Sequence, residues 1–594
     1  MNKAIRAGLT AVFACSVLSA ASAAKSDVDK AVLTKYANAA SFNGAQNVWG
    51  PLNCHDPKIF QDDDGTYYVY STDAAIGGAG QKGLQIRTSK DLVHWESLSK
   101  SAIQRKWDKD WLRWVNFTAA QASTWAPTVM KQNGLYYLIH GIITDSRAPG
   151  NPDAAIALTI SSSPTGPFWP AAQAAAKDPK VAEVLSKLGV SYKQSNIVRY
   201  TWYDRTWESD DKSISEQYCH NLANYDTHTG EEADTAGGWA YGFGGIDPEF
   251  VTDVATGKNV EYTIKGRKCY GLTYGSWKGG IALMYVDSVS LKPVNPADGS
   301  EIDAPADTVQ GAFGKAIAGG YGAAYEGAQI IYNSQNGYYY CFVSMGSLDW
   351  DYRVGVGRSK SVEGPYLDAG GRSMYLDAMS ASSYHEIGSK IIGGHVLEKE
   401  FSFRCQGGQS ILRSNDGKIL FACHARTNFL PGYFFFLQVH QLFFTADGWP
   451  VLNQNEYYED KKFSEKLAPL AVADIAGNYD TILTVRGSDA KDYKPFGQGD
   501  PVTVVAADGI PTESKQISLS ADGKVSGAYT GTWSLASDGY SISVSLDGVG
   551  TFNGYALKAV DWAKKKGKTR QTVTFISIDG EKTGEYFWGN RRDK

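Results

Sequence analysis

Five times along this chain, a short apolar segment leads into an aromatic one, in most copies across a tight Gly-bearing turn. Asn53-Cys-His-Asp-Pro-Lys-Ile-Phe60 leads through Gln61-Asp-Asp-Asp-Gly65 into Thr66-Tyr-Tyr-Val-Tyr-Ser71. Trp125-Ala-Pro-Thr-Val-Met130 leads through Asn133-Gly134 into Leu135-Tyr-Tyr-Leu-Ile-His140. Ile246-Asp-Pro-Glu-Phe-Val251 leads on to Lys268-Cys-Tyr-Gly-Leu-Thr-Tyr274. Tyr325-Glu-Gly-Ala-Gln-Ile-Ile331 leads through Asn336-Gly337 into Tyr338-Tyr-Tyr-Cys-Phe-Val343. Gly407-Gly-Gln-Ser-Ile-Leu412 leads through Asp416-Gly417 into Lys418-Ile-Leu-Phe-Ala-Cys423. Each reads as two strands joined by a turn.

Degenerate repeats of short strands, spaced by roughly 40–50 residues plus insertions, are the mark of a β-propeller. Five units predict five blades. The first strand of each blade lines the central channel, so equivalent residues at its start converge on one mouth. Alignment of the units makes these Asp56, Ala126, Asp247, Glu326 and Gly408. Three carboxyls from distant parts of the chain are thereby expected around one cavity. Cleavage of a glycosidic bond needs such a set, one carboxyl as acid and another as base or nucleophile.

The 594 residues suffice for two or three domains. A net charge of −5 with 20% charged residues gives no basic surface for nucleic acid or for an acidic membrane. Aromatic residues reach 12%, which suits pleated surfaces and also the apolar faces of sugars. Residues 1–24 read as a secretory signal: Lys3 and Arg6, an apolar run from Leu9 to Leu18, then Ala21-Ser-Ala23. The expectation is a secreted or periplasmic monomer with no membrane span. Cys54, Cys219, Cys269, Cys341, Cys405 and Cys423 follow the signal. Six cysteines allow 15 pairings, and buried free thiols are an equal alternative on strands.

The all-β propeller is expected over residues 25–465, interrupted by a long insertion at about 169–244. That insertion opens with an Ala-rich helical stretch, Ala171 to Leu188, and continues through the Trp-bearing segment Tyr200 to Trp239. A loop of such length is usually a cleft wall or lid. From 466 to 594 the pattern changes to alternating strands with Asp-Gly turns, which predicts a small C-terminal β-barrel or sandwich.

Taken in order, His55-Asp-Pro57, Trp125-Ala-Pro127, Ile246-Asp-Pro248, Glu363-Gly-Pro-Tyr366, Val439-His-Gln-Leu442 and Gly448-Trp-Pro450 resemble glycoside hydrolase family 43. They look most like the extracellular endo-α-1,5-L-arabinanases that carry a C-terminal β-barrel. The resemblance implies hydrolysis of arabinan, a plant cell-wall polysaccharide, with inversion at the anomeric carbon. By motif, Asp56 resembles the general base, Glu326 the general acid, and Asp247 the carboxylate that orients the acid and raises its pKa. Trp125, His55 and His424 are the candidate substrate contacts. The resemblance also implies a channel calcium anchored by a histidine in the fifth blade. Here Gly407-Gly-Gln-Ser410 puts Gly408 at that place, so calcium is not expected to be required.

Plainer readings exist for each residue. Asp-Pro at a strand start is a turn former in its own right. His55 and His424 can be hydrogen-bonded structural residues, and Trp125 can be core. Asp62-Asp-Asp64 has the wrong spacing for a calcium loop. An exo-acting arabinofuranosidase or β-xylosidase of the same fold, and a non-catalytic carbohydrate-binding propeller, are the rival functions.

Overall fold

The computed structural model describes residues 50–73, 83–103, 122–144, 153–201, 243–276, 279–306, 309, 311–320, 323–348, 351–376, 387–397, 401–427, 435–458, 466–484, 512–561 and 570–592. The signal sequence, Cys219 and most of the Tyr200-to-Trp239 segment lie outside the described residues. Five antiparallel sheets are present in the propeller region, one for each repeat. Their inner strands are Lys58–Gln61, Ala122–Gln132, Glu249–Phe250, Tyr325–Asn333 and Phe401–Arg413.

Blades stack on both faces, so their middle strands are buried on both sides. Tyr67–Ser71 is buried at every position, which is why it reads as a continuous apolar run instead of an alternating one. Neighbouring blades are sewn together near the channel. Thr252–Asp253, beyond the blade-three inner strand, pairs in parallel with Ile331 and Tyr332 of blade four. The ring closes where the segment before blade one meets blade five: Cys54 N–H bonds the Phe435 carbonyl at 3.3 Å, and Leu437 N–H bonds that of Pro51 at 2.8 Å. Buried Arg87 fixes the closing segment by donating to the carbonyls of Gly50, Leu52 and Asn53 at 2.7–2.8 Å. A planar fork with five donors suits a cluster of carbonyls that no ammonium could reach together.

The insertion after blade two begins as expected, with helices Ala171–Lys177 and Pro179–Leu188. Asp178 caps the second helix through Lys180 and Val181 N–H, and Gly189, in the left-handed region, ends it. The chain then returns as Asn196–Thr201 to add a strand to blade two.

The C-terminal unit is a closed eight-stranded barrel running from Gly477–Thr484 to Tyr586–Arg592. Strand Ser541–Leu546 alternates strictly between buried and half-buried positions, as a one-layer closed sheet requires. Its outer wall shares a core with blades four and five: Trp588, Ile576 and Leu557 pack with Val451, Leu452 and Leu397. Asn455 and Asn590 exchange amide hydrogen bonds of 3.0 and 2.8 Å across the joint. Thr512–Glu513 adds a parallel strand to His395–Leu397 of the propeller. Cys269, Cys341 and Cys405 are buried free thiols.

Candidate active site

At the head of each inner strand, one residue takes a left-handed backbone conformation. Asp56, Ala126, Asp247, Gly327 and Gly408 have φ of 48°, 38°, 55°, 59° and 57°. This kink turns the chain from the loop into the channel wall. Asp and Gly tolerate it; Ala126 holds it under strain. The kink corrects the alignment made from sequence, because Gly327, not Glu326, is the fourth equivalent. Glu326 stands one residue earlier, in the place of His55, Trp125, Ile246 and Gly407. Strand pairing gives the same register: Trp125 faces Gly141, Glu326 faces Ser344 and Gly407 faces His424, each next to a bulge.

Two residues further on, the pleat brings side chains back into the channel. Lys58, Thr128, Glu249, Gln329 and Ser410 form this second ring. Lys58 Nζ lies 2.5 Å from Glu249 Oε1, with both side chains about nine-tenths buried, and Thr128 Oγ1 donates to the same oxygen at 2.8 Å. Gln329 clamps the Ile411 backbone through both ends of its amide. The first ring and parts of the second line a single axial cavity.

The three carboxyls of the mouth sit in different environments. Asp56 Oδ2 accepts from Thr72 Oγ1 at 2.7 Å and lies 2.9 Å from His55 Nδ1. Burial alone would raise its pKa, yet attraction and hydrogen bonding to His55, with Thr72, bring it down to about 2. Asp56 is therefore ionised at neutral pH. His424 Nδ1 accepts the Asp56 N–H at 3.2 Å, so that nitrogen carries no proton. Full burial also pushes the His424 pKa well below its usual range. Its 3.6 Å approach to Asp56 Oδ1 is thus packing of a neutral ring and no ion pair.

Asp247 and Glu326 behave in the opposite way. Burial, then repulsion from Glu326 and Asp56, drives Asp247 well above the carboxylate range, although Gly327 N–H donates to its Oδ2 at 2.9 Å. Burial likewise raises Glu326, against hydrogen bonds from Tyr352 Oη at 2.8 Å and Ser276 Oγ at 3.0 Å. Two buried carboxyls that repel one another retain a proton between them. One mouth therefore holds an ionised carboxylate beside two carboxyls that resist ionising.

Of the sequence-predicted contacts, Trp125 is half-buried at the rim, anchored by Nε1 to Ser123 Oγ at 2.9 Å and packed near Ile246. His55 is 16% exposed beside Asp56. His424 is fully buried, stacked between His55 at 4.5 Å and Tyr352 at 5.5 Å, and lies behind Asp56 away from solvent. Thr72, Ser276 and Tyr352 went unread in the sequence. All three lie just outside blade strands at the mouth, a position the repeat itself marks.

The channel does not suit the calcium implied by the resemblance. Calcium takes six to eight oxygens. The deeper acid, Glu249, is already neutralised by Lys58. An added Cβ at Gly408 would lie 2.5 Å from Asp56 Oδ1 and 2.8 Å from His424 Nδ1, so a side chain there would require Asp56 or His424 to move. Among the described residues, His55, Asp56 and His424 form the one three-ligand cluster, and its nitrogen donors favour transition metals over calcium.

The sequence pattern described as Glycosyl hydrolases family 43 matches residues 45–239 and 284–450, and a C-terminal lipocalin-like domain matches 456–589. An "Extracellular endo-alpha-(1->5)-L-arabinanase" of Thermotoga petrophila is 26% identical over 557 residues, covering 90% of this chain and 93% of that protein. An "Extracellular exo-alpha-(1->5)-L-arabinofuranosidase ArbA" of Cellvibrio japonicus is 24% identical over 70% of this chain and 90% of its own length. The crystal structure of the Thermotoga petrophila RKU-1 endo-1,5-α-L-arabinanase with TRIS superimposes with a TM-score of 0.62 at 23% identity, covering 91% of this chain and 98% of that one. A family 43 protein, YxiA, from Bacillus licheniformis gives the same score at 22% identity, with the same coverage of both chains. With the family pattern spread over more than half of its length, the protein belongs to the glycosyl hydrolases family 43 and is a glycoside hydrolase.

Proposed function

We propose that the enzyme cleaves α-1,5-L-arabinofuranosidic bonds inside arabinan, with inversion, outside the cytoplasm. The observation that carries the chemistry is the contrast at the channel mouth: Asp56 held ionised, and Asp247 with Glu326 holding a proton. Asp56 takes a proton from water as its oxygen attacks the anomeric carbon. Glu326 gives a proton to the leaving glycosidic oxygen on the opposite face. Asp247 and Glu326 are coupled, because burial and repulsion resist the loss of the last proton they share, and Glu326 is the member that passes it on. The hydroxyls of Tyr352 and Ser276 can donate or accept, so they hold Glu326 in either state. Every group in this scheme comes from one chain.

The substrate rests on the relatives. Two proteins named extracellular endo-arabinanases align over at least 90% of this chain, which favours internal cleavage and export. The exo-acting relative supports terminal cleavage as the second reading. Product profiling on linear arabinan, arabinoxylan and xylan separates these outcomes. Early release of mixed arabino-oligosaccharides, with the β-anomer appearing first by proton NMR, supports the proposal. Monomer alone would establish exo action, the α-anomer first would exclude inversion, and turnover of xylan alone would exclude arabinan.

A further inference from the structure

Asp56 and Asp247 each open the same kind of tripeptide, Asp56-Pro57-Lys58 in blade one and Asp247-Pro248-Glu249 in blade three. The third residues carry opposite charges and meet in the channel, with Lys58 Nζ 2.5 Å from Glu249 Oε1. The same oxygen accepts from Thr128 Oγ1 of blade two at 2.8 Å and from Phe250 N–H at 3.0 Å. Three blades therefore converge on one carboxylate, a layer below the mouth.

Lys58 and Glu249 line the axial cavity together with Asp56 and Asp247. That cavity measures about 30 Å³, room for about two waters. Lys58 donates to Glu249 alone among the described residues, so its other two N–H groups are left to water there. A buried carboxylate needs a cation, whether built in or bound. Without Lys58, Glu249 would stand as an unpaired charge beneath Asp247, which burial and repulsion from Glu326 and Asp56 already hold back from ionising.

We propose that Lys58 is the resident cation of the channel, a positioning residue that fixes the spacing of Asp56 and Asp247 through Glu249 and takes the place a metal ion would fill. The inference rests on the catalytic reading of those two carboxyls. It accounts for the poor fit of calcium, since the lysine chain occupies the room and its ammonium takes the ligand. It also implies that a small side chain at position 58 creates a metal site. Lys58→Ser would leave the Glu249 carboxylate, the hydroxyls of Thr128 and Ser410, the introduced hydroxyl and water, an all-oxygen set of the kind calcium takes.

Calorimetric titration of Lys58→Ser with calcium, beside wild type, tests this without any substrate. The variant should bind one ion with a Kd of about 1 mM or tighter, and wild type none up to about 10 mM. Calcium should raise the melting temperature of the variant and leave that of wild type unmoved. With whichever glycan wild type turns over, the variant in EDTA should lose at least about tenfold in kcat/KM, and calcium should return at least about half of wild-type activity. Adding Glu249→Gln should abolish both binding and rescue. Should Lys58→Ser not fold in EDTA, it is expected to fold in calcium, and failure in both would overturn the proposal. No calcium binding by the folded variant, binding that survives Glu249→Gln, or unaltered kcat/KM in EDTA would overturn it as well.

Discussion

A Cβ placed on Gly408 falls 2.5 Å from Oδ1 of Asp56, so the glycine and the carboxylate occupy a single fitted space. Gly407 is constrained in the same manner, since its missing side chain is where the Tyr352 ring lies. The Gly-Gly pair thus lets Tyr352 reach Glu326 and lets Asp56 sit against His424. Gly408→Ala also meets a φ of +57°, and should lose about 1–3 kcal/mol of stability with at least about tenfold of turnover. Thermal melts and initial rates check both numbers. An unaltered alanine variant would mean that Asp56 has freedom not seen here.

Chelation should leave the enzyme working. With the Lys58 ammonium already paired to Glu249 in the channel, prolonged EDTA treatment is expected to leave activity within about twofold, and added calcium to change nothing. Loss of activity restored by calcium alone would show that other groups bind the ion.

The acid limb and base limb of the pH–rate profile should respond to different residues. Asp247→Asn removes the repulsion that makes the last proton of the pair hard to lose, so activity is lost at lower pH on the basic side. Tyr352→Phe removes a hydrogen bond that favours the Glu326 anion, so that limb moves up. Profiles of kcat/KM should show shifts of opposite sign. Equal shifts in one direction would contradict the coupling.

Stability carries the same signature. A buried carboxyl whose folded pKa is raised contributes stability below its unfolded pKa and loses it as pH rises through the folded value. Asp247→Asn should therefore melt higher than wild type at pH 8, with the gain vanishing near pH 4. Asp56 acts oppositely: its contribution is present above about pH 4 and disappears as pH falls toward 2.

Trp588 is 2% exposed in the core that barrel and propeller share. Trp588→Ala should cost about 3–5 kcal/mol and lower the melting of both domains together. Two separate transitions in calorimetry would show that the joint is weak.

Much of this was legible because it is repeated. Five copies of one strand pair announce a propeller even when no single copy would, and Asp56 and Asp247 share an Asp-Pro kink that marks the same position twice. Glu326 was placed one residue out of register because the αL position in blade four is a glycine, which looks like any turn residue. Tyr352, Ser276 and Thr72 escaped because each lies just off a strand end, without a motif, and acquires meaning only from the carboxyl it meets. Strand Gly550–Asp561 was hidden by Gly554 and by an exposed Lys558, which break the alternation. The pairing of Lys58 with Glu249 joins residues 191 apart and has no local trace.

The most direct measurement is the rate of reducing-end release from linear α-1,5-arabinan by wild type, Asp56→Asn and Glu326→Gln, with folding verified by circular dichroism. The account predicts that wild type releases oligosaccharides and that each amide variant, folded, is slower by at least about a hundredfold. Wild-type rates in either folded variant, or no turnover of arabinan by the unaltered enzyme, would contradict it.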